Sequence, residues 1–364
     1  MSLHAPEALV KLRIVESPIQ PIYKAAEPGY QRNFSRDSLT FGILADDAEA
    51  LEAQITHSFK HQGNKVDPYT GEEPGKIHHE WPGVFYRDRE TTYNACDSTA
   101  LTLLAIARLV ETGKPELLST YGPNIEAALE YIYSHTGLDN LFREDPSLAG
   151  ADRFALKVTY WKDSVINGGQ EEPAYPIIYT LAHFQNAAAL RAMGRVMNRP
   201  NLIQTADDME QAGIDRLWLD GHFVTAVTAN EVIDPPSSDS LHALLYIKPA
   251  SESLPSDAAE GIEEYMRPLG TTFGYRAGIP INGNSDNYHT KYVWPHEQAL
   301  MHAAAKEHRL MQAQEVARRV VSYCNSDGNY WELVDAEDGS RNGNRLQLWV
   351  IGAIHYFNAT AGRH

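Results

Sequence analysis

The sequence predicts an all-α protein in which six helical hairpins close into an (α/α)6 toroid with its long loops at one end. Helical periodicity dominates the 364 residues. Short and long connections alternate along the chain, and long loops in a compact protein are usually functional. Eleven helices, with one more expected near the N-terminus, make six antiparallel hairpins. Hairpins joined in this way place every long loop at the same end of the ring.

Each helix is predicted from apolar spacing and from its end signals. The helices are expected at 37–45, 46–61, 97–112, 115–135, 174–198, 200–219, 239–247, 256–267, 291–307, 309–324 and 345–359. Asp97 is a plausible N-cap, Gly113 a stop signal and Pro115 a first-turn proline, while Pro200 begins a break. The long loops are expected at 62–96, 136–173, 220–238, 268–290 and 325–344. Strands are expected only as short pieces such as 222–228.

Composition narrows the class of protein. The net charge of −17 without a basic cluster argues against nucleic acid and anionic membranes as partners, and a neutral substrate fits better. Two cysteines, Cys96 and Cys324, cannot form a disulfide framework or a four-thiolate zinc site, so buried thiols are expected. No apolar run approaches a membrane span and no signal-peptide core is visible, so a soluble cytoplasmic protein is expected. No composition shift marks a boundary, and 1–364 is predicted to be a single domain.

Tryptophan is concentrated in the long loops. Five of the six tryptophans lie in or just beyond these loops, namely Trp81, Trp161, Trp294, Trp331 and Trp349. Aromatic faces stack on sugar rings, and sugar hydroxyls bind carboxylate, amide and arginine groups. The same loops supply such groups: Arg36, Asp37, His78, His79, Glu80, Asp163, His289, His296, Glu297, Glu332 and Gln347. The pattern indicates a carbohydrate cleft, with core packing under the loops as the alternative.

Two loop carboxyls are candidates for general acid–base catalysis. Asp163 in TYWKDS (159–164) follows two aromatic residues, which can desolvate it, raise its pKa and keep it protonated as a general acid. Its alternative role is to cap the following turn. Glu332 in YWELVD (330–335) is a candidate general base, with a plain surface glutamate as the alternative and Asp335 as a weaker candidate base.

Several other chemistries lack their sequence motifs. The chain has no HExxH, no P-loop Gly-Lys-Ser/Thr, no GxGxxG after a strand and no GxSxG elbow. No His/Cys cluster has zinc-finger spacing, so no metal and no cofactor are expected. His302, His308 and His355 on helices are expected to be packing histidines.

Six motifs, in this order, resemble the glucosidase domain of glycogen-debranching-type enzymes (the amylo-α-1,6-glucosidase group). More broadly they resemble the (α/α)6 inverting glycoside hydrolases that include trehalases, processing glucosidases and mannosylglycerate hydrolases. The motifs are FSRDS (34–38), GKIHHEW (75–81), YNACDSTALTLL (93–104), TYWKDS, YHTKYVWPHEQAL (288–300), and WELVDAEDG (331–339) with QLWVIGA (347–353). The similarity runs from about residue 30 to the C-terminus. Glu297 stands where the family has an aspartate after Val-Trp-Pro-His.

The resemblance implies residue roles. It implies that Arg36 and Asp37 hold the terminal sugar, that Asp163 is the general acid and that Glu332 is the general base. The other substrate-binding candidates are His79, Glu80, Trp81, Asp97, Trp161, His289, Trp294, His296, Glu297, Gln347 and Trp349. The sequence has neither the α-amylase-like domain of full debranching enzymes nor the β-sandwich of many relatives, which points to smaller glycosides.

Three functions follow from the sequence. The leading hypothesis is an inverting, exo-acting α-glycoside hydrolase whose two carboxyls lie roughly 6.5–9.5 Å apart. The second is a sugar epimerase of the N-acylglucosamine 2-epimerase type, in which His79 or His289 would carry the chemistry. The third is a sugar-binding protein without catalysis. In each case the expected partner is a small carbohydrate, with no nucleic acid and no membrane.

Overall fold

The computed structural model describes residues 5–14, 21–163, 172–248, 254–279, 288–325 and 327–361. In chain order the helices are α1 (Ala5–Leu12), α2 (Ser35–Ala45), α3 (Ala48–Lys60), α4 (Ser98–Glu111), α5 (Glu116–Thr120), α6 (Gly122–His135), α7 (Thr180–Val196), α8 (Pro200–Leu217), α9 (Asp239–Ala243), α10 (Ala258–Met266), α11 (Pro295–Glu307), α12 (Met311–Arg318), α13 (Val321–Cys324) and α14 (Leu348–Ala361). Short 3-10 turns cover Pro146–Ala149, Leu244–Tyr246 and Arg267–Leu269.

Six of these helices form a closed inner ring. Helix α2 packs on α4, α4 on α7, α7 on α9, α9 on α11, α11 on α14, and α14 packs back on α2. The outer helices cover this ring: α3 lies on α2 and α4, α6 on α4, α8 on α7, α10 on α9, α12 on α11 and α1 on α14. The fold is therefore the all-α six-hairpin toroid that the sequence predicts.

The inner helices differ from the outer ones in how they bury their surface. In α7, every residue from Thr180 to Gly194 is buried except Ala188, because neighbours contact it on both sides. In α8 only one face is buried, and its other face is polar. A helix that is buried all round belongs to the core, whereas an amphipathic helix covers it.

Short antiparallel strands tie the long loops together. The strands are β1 (Arg13–Ile14), β2 (Ile22–Tyr23), β3 (Ala26–Glu27), β4 (Asn33–Phe34), β5 (Glu80–Trp81), β6 (Phe85–Tyr86), β7 (Arg89–Glu90), β8 (Ile178–Tyr179), β9 (Trp218–Leu219), β10 (His222–Phe223), β11 (Ala226–Val227), β12 (Val232–Ile233), β13 (Gly270–Thr271), β14 (Gly274–Tyr275), β15 (Tyr292–Val293), β16 (Leu333–Asp335), β17 (Arg341–Asn342) and β18 (Leu346–Gln347). They form the pairs β1–β2, β3–β18, β4–β5, β6–β7, β9–β10 and β13–β14, and the three-stranded sheets β8–β11–β12 and β15–β16–β17.

Four inner helices start directly after such a strand, or one residue later. Strand β4 leads into α2, β8 into α7, β15 into α11 and β18 into α14. Each of these strands pairs with a strand from another loop. The strands therefore hold the N-terminal ends of the inner helices in a fixed relation to one another.

Several predicted helix boundaries are wrong for local reasons. The helix expected at 174–198 begins at Thr180, because Ile178–Tyr179 pairs with β11 and the residue before Pro176 disfavours helix. The helix expected at 291–307 begins at Pro295, a residue suited to the first helical position. The stretches 115–135 and 309–324 each form two helices rather than one.

Other sequence expectations have a clear outcome. Cys96 and Cys324 are buried free thiols, as expected. Asp97 does precede α4, but its side chain does not cap the helix. Parts of the predicted loops, at 164–171 and 280–287, lie outside the described residues. Across the part of the chain that the structure describes, no helix is both long enough and apolar enough to cross a bilayer.

Close packing of α7 on α8 generates a stability prediction. A Cβ added at Gly213 would lie 2.5 Å from Nε2 of buried His183, which hydrogen-bonds the Met209 carbonyl. Gly213→Ala should therefore destabilise the protein by about 1–3 kcal/mol through overpacking, despite the higher helix propensity of alanine. Chemical denaturation monitored by circular dichroism measures this change.

The matched control is Gly122→Ala at the start of α6, where an added Cβ meets nothing within 4 Å. That variant should unfold like the wild type. Equal stability of the Gly213 and Gly122 variants would contradict the tight packing of α7 on α8.

Candidate active site

A pocket of about 100 Å³ opens at the N-terminal ends of the inner helices. The pocket is lined by Ala25, Tyr30, Phe34, Arg36, Asp37, His79, Trp161, Asp163, Tyr288, His289, Trp294, Glu332, Gln347 and Trp349. These residues come from five loops or helix starts that are distant in sequence. Ten of the site residues proposed from the sequence are among them.

Arg36 and Asp37 occupy the first turn of α2. Strand β4 fixes their position because it pairs with β5 immediately before the helix begins. The Arg36 guanidinium donates two hydrogen bonds to Asp97, from Nε to Oδ2 at 2.7 Å and from Nη2 to Oδ1 at 2.9 Å. Asp97 is buried and does not line the pocket. Its carboxylate holds the arginine in place, which explains why it does not cap α4.

Asp37 lies at the buried side of the pocket. Gln347 Nε2 donates to its Oδ1 at 3.2 Å. Desolvation by burial raises the pKa of Asp37 to about 8, the charge of Arg36 opposes this shift and the charge of Glu332 adds to it. Below that pH the carboxyl is mostly protonated and can donate as well as accept a hydrogen bond.

Three tryptophans and His289 form the aromatic wall of the pocket, and His296 supports this wall from behind. His289 stacks on Trp294 with ring centroids 4.8 Å apart, and His296 stacks on Trp349 at 3.8 Å. Trp161 meets Trp294 edge-on at 5.6 Å. The indole Nε1 atoms of all three tryptophans have no hydrogen-bond partner among the described residues. Buried donors in this state are typical of sites that bind a polar ligand.

Asp163 lies at the open side of the pocket. Half of its side chain, 53%, is accessible, and the pocket walls cover the rest. This desolvation raises the pKa of Asp163 to about 6, against the opposing charge of Arg36. Nδ1 of His289 is 3.8 Å from Oδ1 of Asp163. Burial lowers the pKa of His289 to about 3, so this ring is neutral near pH 7.

The residue before Asp163 anchors its loop. Nζ of the fully buried Lys162 lies 2.7 Å from Asp239 Oδ1 and 3.1 Å from Glu297 Oε1. It also donates to Oγ of Ser238 at 2.6 Å. Asp239 is at the start of α9 and Glu297 at the start of α11, so one ammonium group joins three inner elements.

Glu332 has a different environment from Asp163. Its Oε1 accepts a hydrogen bond from the Tyr288 hydroxyl at 2.7 Å. Its Oε2 accepts two from Asn344, from the backbone N–H at 2.9 Å and from Nδ2 at 2.7 Å. These three donors fix the orientation of the buried Glu332 carboxyl. Asp335, the weaker candidate base, is outside the pocket and lies 3.6 Å from Lys291 Nζ.

Five proposed site residues do not line this pocket. They are Glu80, Trp81, Asp97, His296 and Glu297. Trp81 stacks on His61 at 3.9 Å, and Glu80 pairs with Arg32. His296 supports Trp349 from behind, and Glu297 binds Lys162.

Sequence reasoning missed several residues that build the site. Tyr288 and Lys162 both lie inside quoted motifs, next to His289 and Asp163, but neither was singled out. Phe34 likewise lies in a quoted motif, two residues before Arg36, whereas Tyr30 and Asn344 carry no local signal. Within the described part of the chain, no group of three or more His, Cys, Asp or Glu side chains has the geometry to hold a metal ion.

Comparison with known proteins finds similarity to this chain through structure alone. No protein-family model matches it, and no curated protein matches its sequence. The GH63 mannosylglycerate hydrolase from Thermus thermophilus in complex with Tris and D-glycerate superposes with a TM-score of 0.70 at 13% identity, covering 97% of this chain and 98% of the other. Its complex with glucose gives 0.70 at 12% identity with the same coverage. Its complex with Tris gives 0.71 at 14% identity, covering 98% and 99%.

At this level of identity the likeness shows the fold, a six-hairpin toroid shared with a glycoside hydrolase over nearly the full chain. It carries nothing specific to debranching glucosidases.

Proposed function

We propose that the protein is an inverting, exo-acting α-glycoside hydrolase. The observation that carries this proposal is the pairing of Asp163 and Glu332 in one pocket but in opposite environments. The Asp163 carboxyl has a raised pKa of about 6, whereas Glu332 accepts three hydrogen bonds. Carboxyls whose environments differ in this way are suited to act as acid and base.

The mechanism needs two proton transfers. Asp163 gives its proton to the glycosidic oxygen as the bond from this oxygen to the anomeric carbon breaks. Glu332 takes a proton from a water molecule, whose oxygen attacks the anomeric carbon from the opposite face. The products are the free sugar with inverted configuration and the protonated leaving group. The proton then passes from Glu332 back to Asp163 through solvent.

The remaining pocket residues suit one terminal sugar ring. Trp294 and Trp349 close the inner end, and they are 2% and 7% exposed. Arg36, Asp37 and Gln347 present donors and acceptors to hydroxyls beside these aromatic faces. A closed inner end supports exo-acting cleavage. Because the neighbouring hydrolase acts on mannosylglycerate and was solved with glucose, a small glucosyl or mannosyl glycoside is the proposed substrate.

The epimerase alternative requires histidines that exchange protons. Burial lowers the pKa of His289 to about 3 and that of His79 well below its ordinary value. Neither ring is protonated to its charged form near neutral pH, which favours the carboxyl mechanism.

Removing either carboxyl should nearly abolish turnover. Asp163→Asn and Glu332→Gln should each lower kcat by about 10²–10⁴-fold, the usual size of a general acid–base contribution. Reducing-sugar release from a panel of α-linked disaccharides and glycosylglycerates measures the effect.

Exposed carboxyls on the same loops serve as matched controls. Asp139→Asn and Glu337→Gln, whose side chains are 51% and 76% accessible, should keep wild-type rates. Full activity of the Asp163 or Glu332 variant would refute the assigned role, while retained binding without turnover in the wild type would favour a sugar-binding protein.

Activity should fall as the pH rises through about 6. The general acid must be protonated, and the raised pKa of Asp163 places its loss of a proton near that pH. The profile of kcat/KM against pH for an alkyl glycoside should show this fall as its alkaline limb. A glycosyl fluoride, whose leaving group needs no proton, should not show it, and Asp163→Asn should still cleave the fluoride.

A limb near pH 8 that persists in Asp163→Asn would contradict this assignment. It would point instead to Asp37, whose pKa is about 8.

The first product of an α-glycoside should be the β-anomer. Water activated by Glu332 attacks from the face opposite the leaving group, so the configuration inverts in one step. Proton NMR recorded before mutarotation identifies the anomer directly. An α-anomer as first product would mean that one carboxyl is a nucleophile and that the inverting mechanism is wrong.

A further inference from the structure

A second cavity of about 440 Å³ opens beside the inner pocket. The two share four lining residues, namely Tyr30, Phe34, His79 and Asp163. We call this space the outer cavity. Its further walls include Glu80, Val84, Phe85, Tyr86 and Leu156. Asp163 therefore lies at the junction of two connected spaces.

The position of Asp163 determines what the outer cavity can hold, if the proposed function is correct. The acid must reach the glycosidic oxygen, which joins the sugar ring to the leaving group. With the sugar ring in the inner pocket, the leaving group lies on the other side of Asp163. The outer cavity is the space on that side.

The hairpin formed by β6 and β7 gives this cavity an apolar wall. Phe85 is 69% exposed and Tyr86 is 48% exposed, although both are large and adjacent in sequence. Such exposed apolar groups at the rim of a cleft typically mark a binding site. The turn between the strands, Arg87–Asp88, has positive φ at both residues, as in the tight turns that favour hairpins.

Side-chain contacts fix this hairpin to the loop that carries Asp163. Arg87 Nη2 lies 2.5 Å from Glu172 Oε2, and Arg89 forms an ion pair with Asp152. The aromatic pair is therefore held in place before any ligand binds.

Two charged side chains of the wall, Arg32 and Glu80, compensate each other. Arg32 donates from Nε to Glu80 Oε2 at 2.7 Å, and Glu80 also accepts from Thr91. Lys157, a further cation of the wall, also has an interaction partner. Beside these groups, the exposed rings of Phe85 and Tyr86 give a leaving group an apolar surface to meet.

We propose that the outer cavity is the leaving-group subsite and that it selects a neutral leaving group with a flat apolar face. Phe85 and Tyr86 would pack on that face. An aromatic ring and the apolar side of a second sugar both have this chemistry. The proposal rests on the hydrolase function proposed above.

The test compares glycosides that share one sugar and differ only in the leaving group. The sugar is glucose or mannose, whichever the wild type cleaves, and the set contains methyl, benzyl, glucosyl and glyceryl (D-glycerate) α-glycosides. Methanol and benzyl alcohol are both simple alcohols, so the benzyl-to-methyl ratio of kcat/KM reports how much the aromatic ring contributes. The ratio should favour benzyl in the wild type and fall about tenfold in a Phe85→Ala/Tyr86→Ala double variant.

The control is Leu138→Ala, which removes a fully exposed apolar side chain elsewhere on the surface. It should leave the benzyl-to-methyl ratio at the wild-type value. If kcat/KM for the glucosyl glycoside falls as much as kcat/KM for the benzyl glycoside in the double variant, the natural leaving group is a second sugar. If kcat/KM falls only for the benzyl glycoside, the natural leaving group is an aromatic alcohol.

Calorimetric titration with the same compounds in an Asp163→Asn background separates binding from turnover. Wild-type cleavage with an unchanged ratio in the double variant would overturn the leaving-group subsite and leave the hydrolase function standing. No cleavage, but an affinity preference for benzyl that the double variant loses, would support the subsite and overturn the hydrolase function. A preference for the glycerate compound that survives in the double variant would also overturn the proposed selectivity.

Discussion

All six inner helices begin at the same end of the ring, and the site depends on this constraint. Each helix start carries a partial positive charge from its unpaired N–H groups, which stabilises nearby carboxylates. Four helix starts carry such a carboxyl group: Asp37, Asp97, Asp239 and Glu297. Four acids this close together require cations, and two buried cations are present. Arg36 pairs with Asp97, and Lys162 lies between Asp239 and Glu297.

The cations do not compensate every acid fully, and two of the four acids keep a raised pKa. Burial raises the pKa of Glu297 to about 7 although Lys162 opposes the shift, and it raises that of Asp37 to about 8. A buried ion pair costs much of its Coulomb energy in desolvation, so Lys162 contributes position more than stability. It precedes Asp163 directly, and its three contacts fix where that carboxyl lies. The same arrangement thus sets the location of the proposed acid, while desolvation raises its pKa.

The sequence predicted those parts of the molecule that depend on local patterns. The alternation of short and long connections was sufficient to predict the toroid, because hairpins in a ring must place their long loops at the same end. The order of the motifs was sufficient to select Asp163, Glu332, Trp161, Trp294 and Trp349 as candidate site residues, and all five line one pocket. The sequence could not separate His79, Glu80 and Trp81, because other loops determine what each of them contacts. His79 lines both spaces, Glu80 lines the outer cavity alone, and Trp81 stacks on His61. Lys162 and Tyr288 were missed because their partners are distant in sequence.

The inner pocket and the outer cavity are built from different parts of the fold, and this difference bears on substrate specificity. Much of the inner pocket rests on helix starts held by paired strands, so its geometry follows from the fold itself. The outer cavity rests on a hairpin and on loop residues, which can change without disturbing the ring. A toroid of this kind can therefore keep one way of holding a sugar while its loops determine what is attached to that sugar. The 13% identity with a mannosylglycerate hydrolase of the same fold leaves room for such a change. In this chain, such a change would lie at Phe85 and Tyr86, which are exposed beside Asp163.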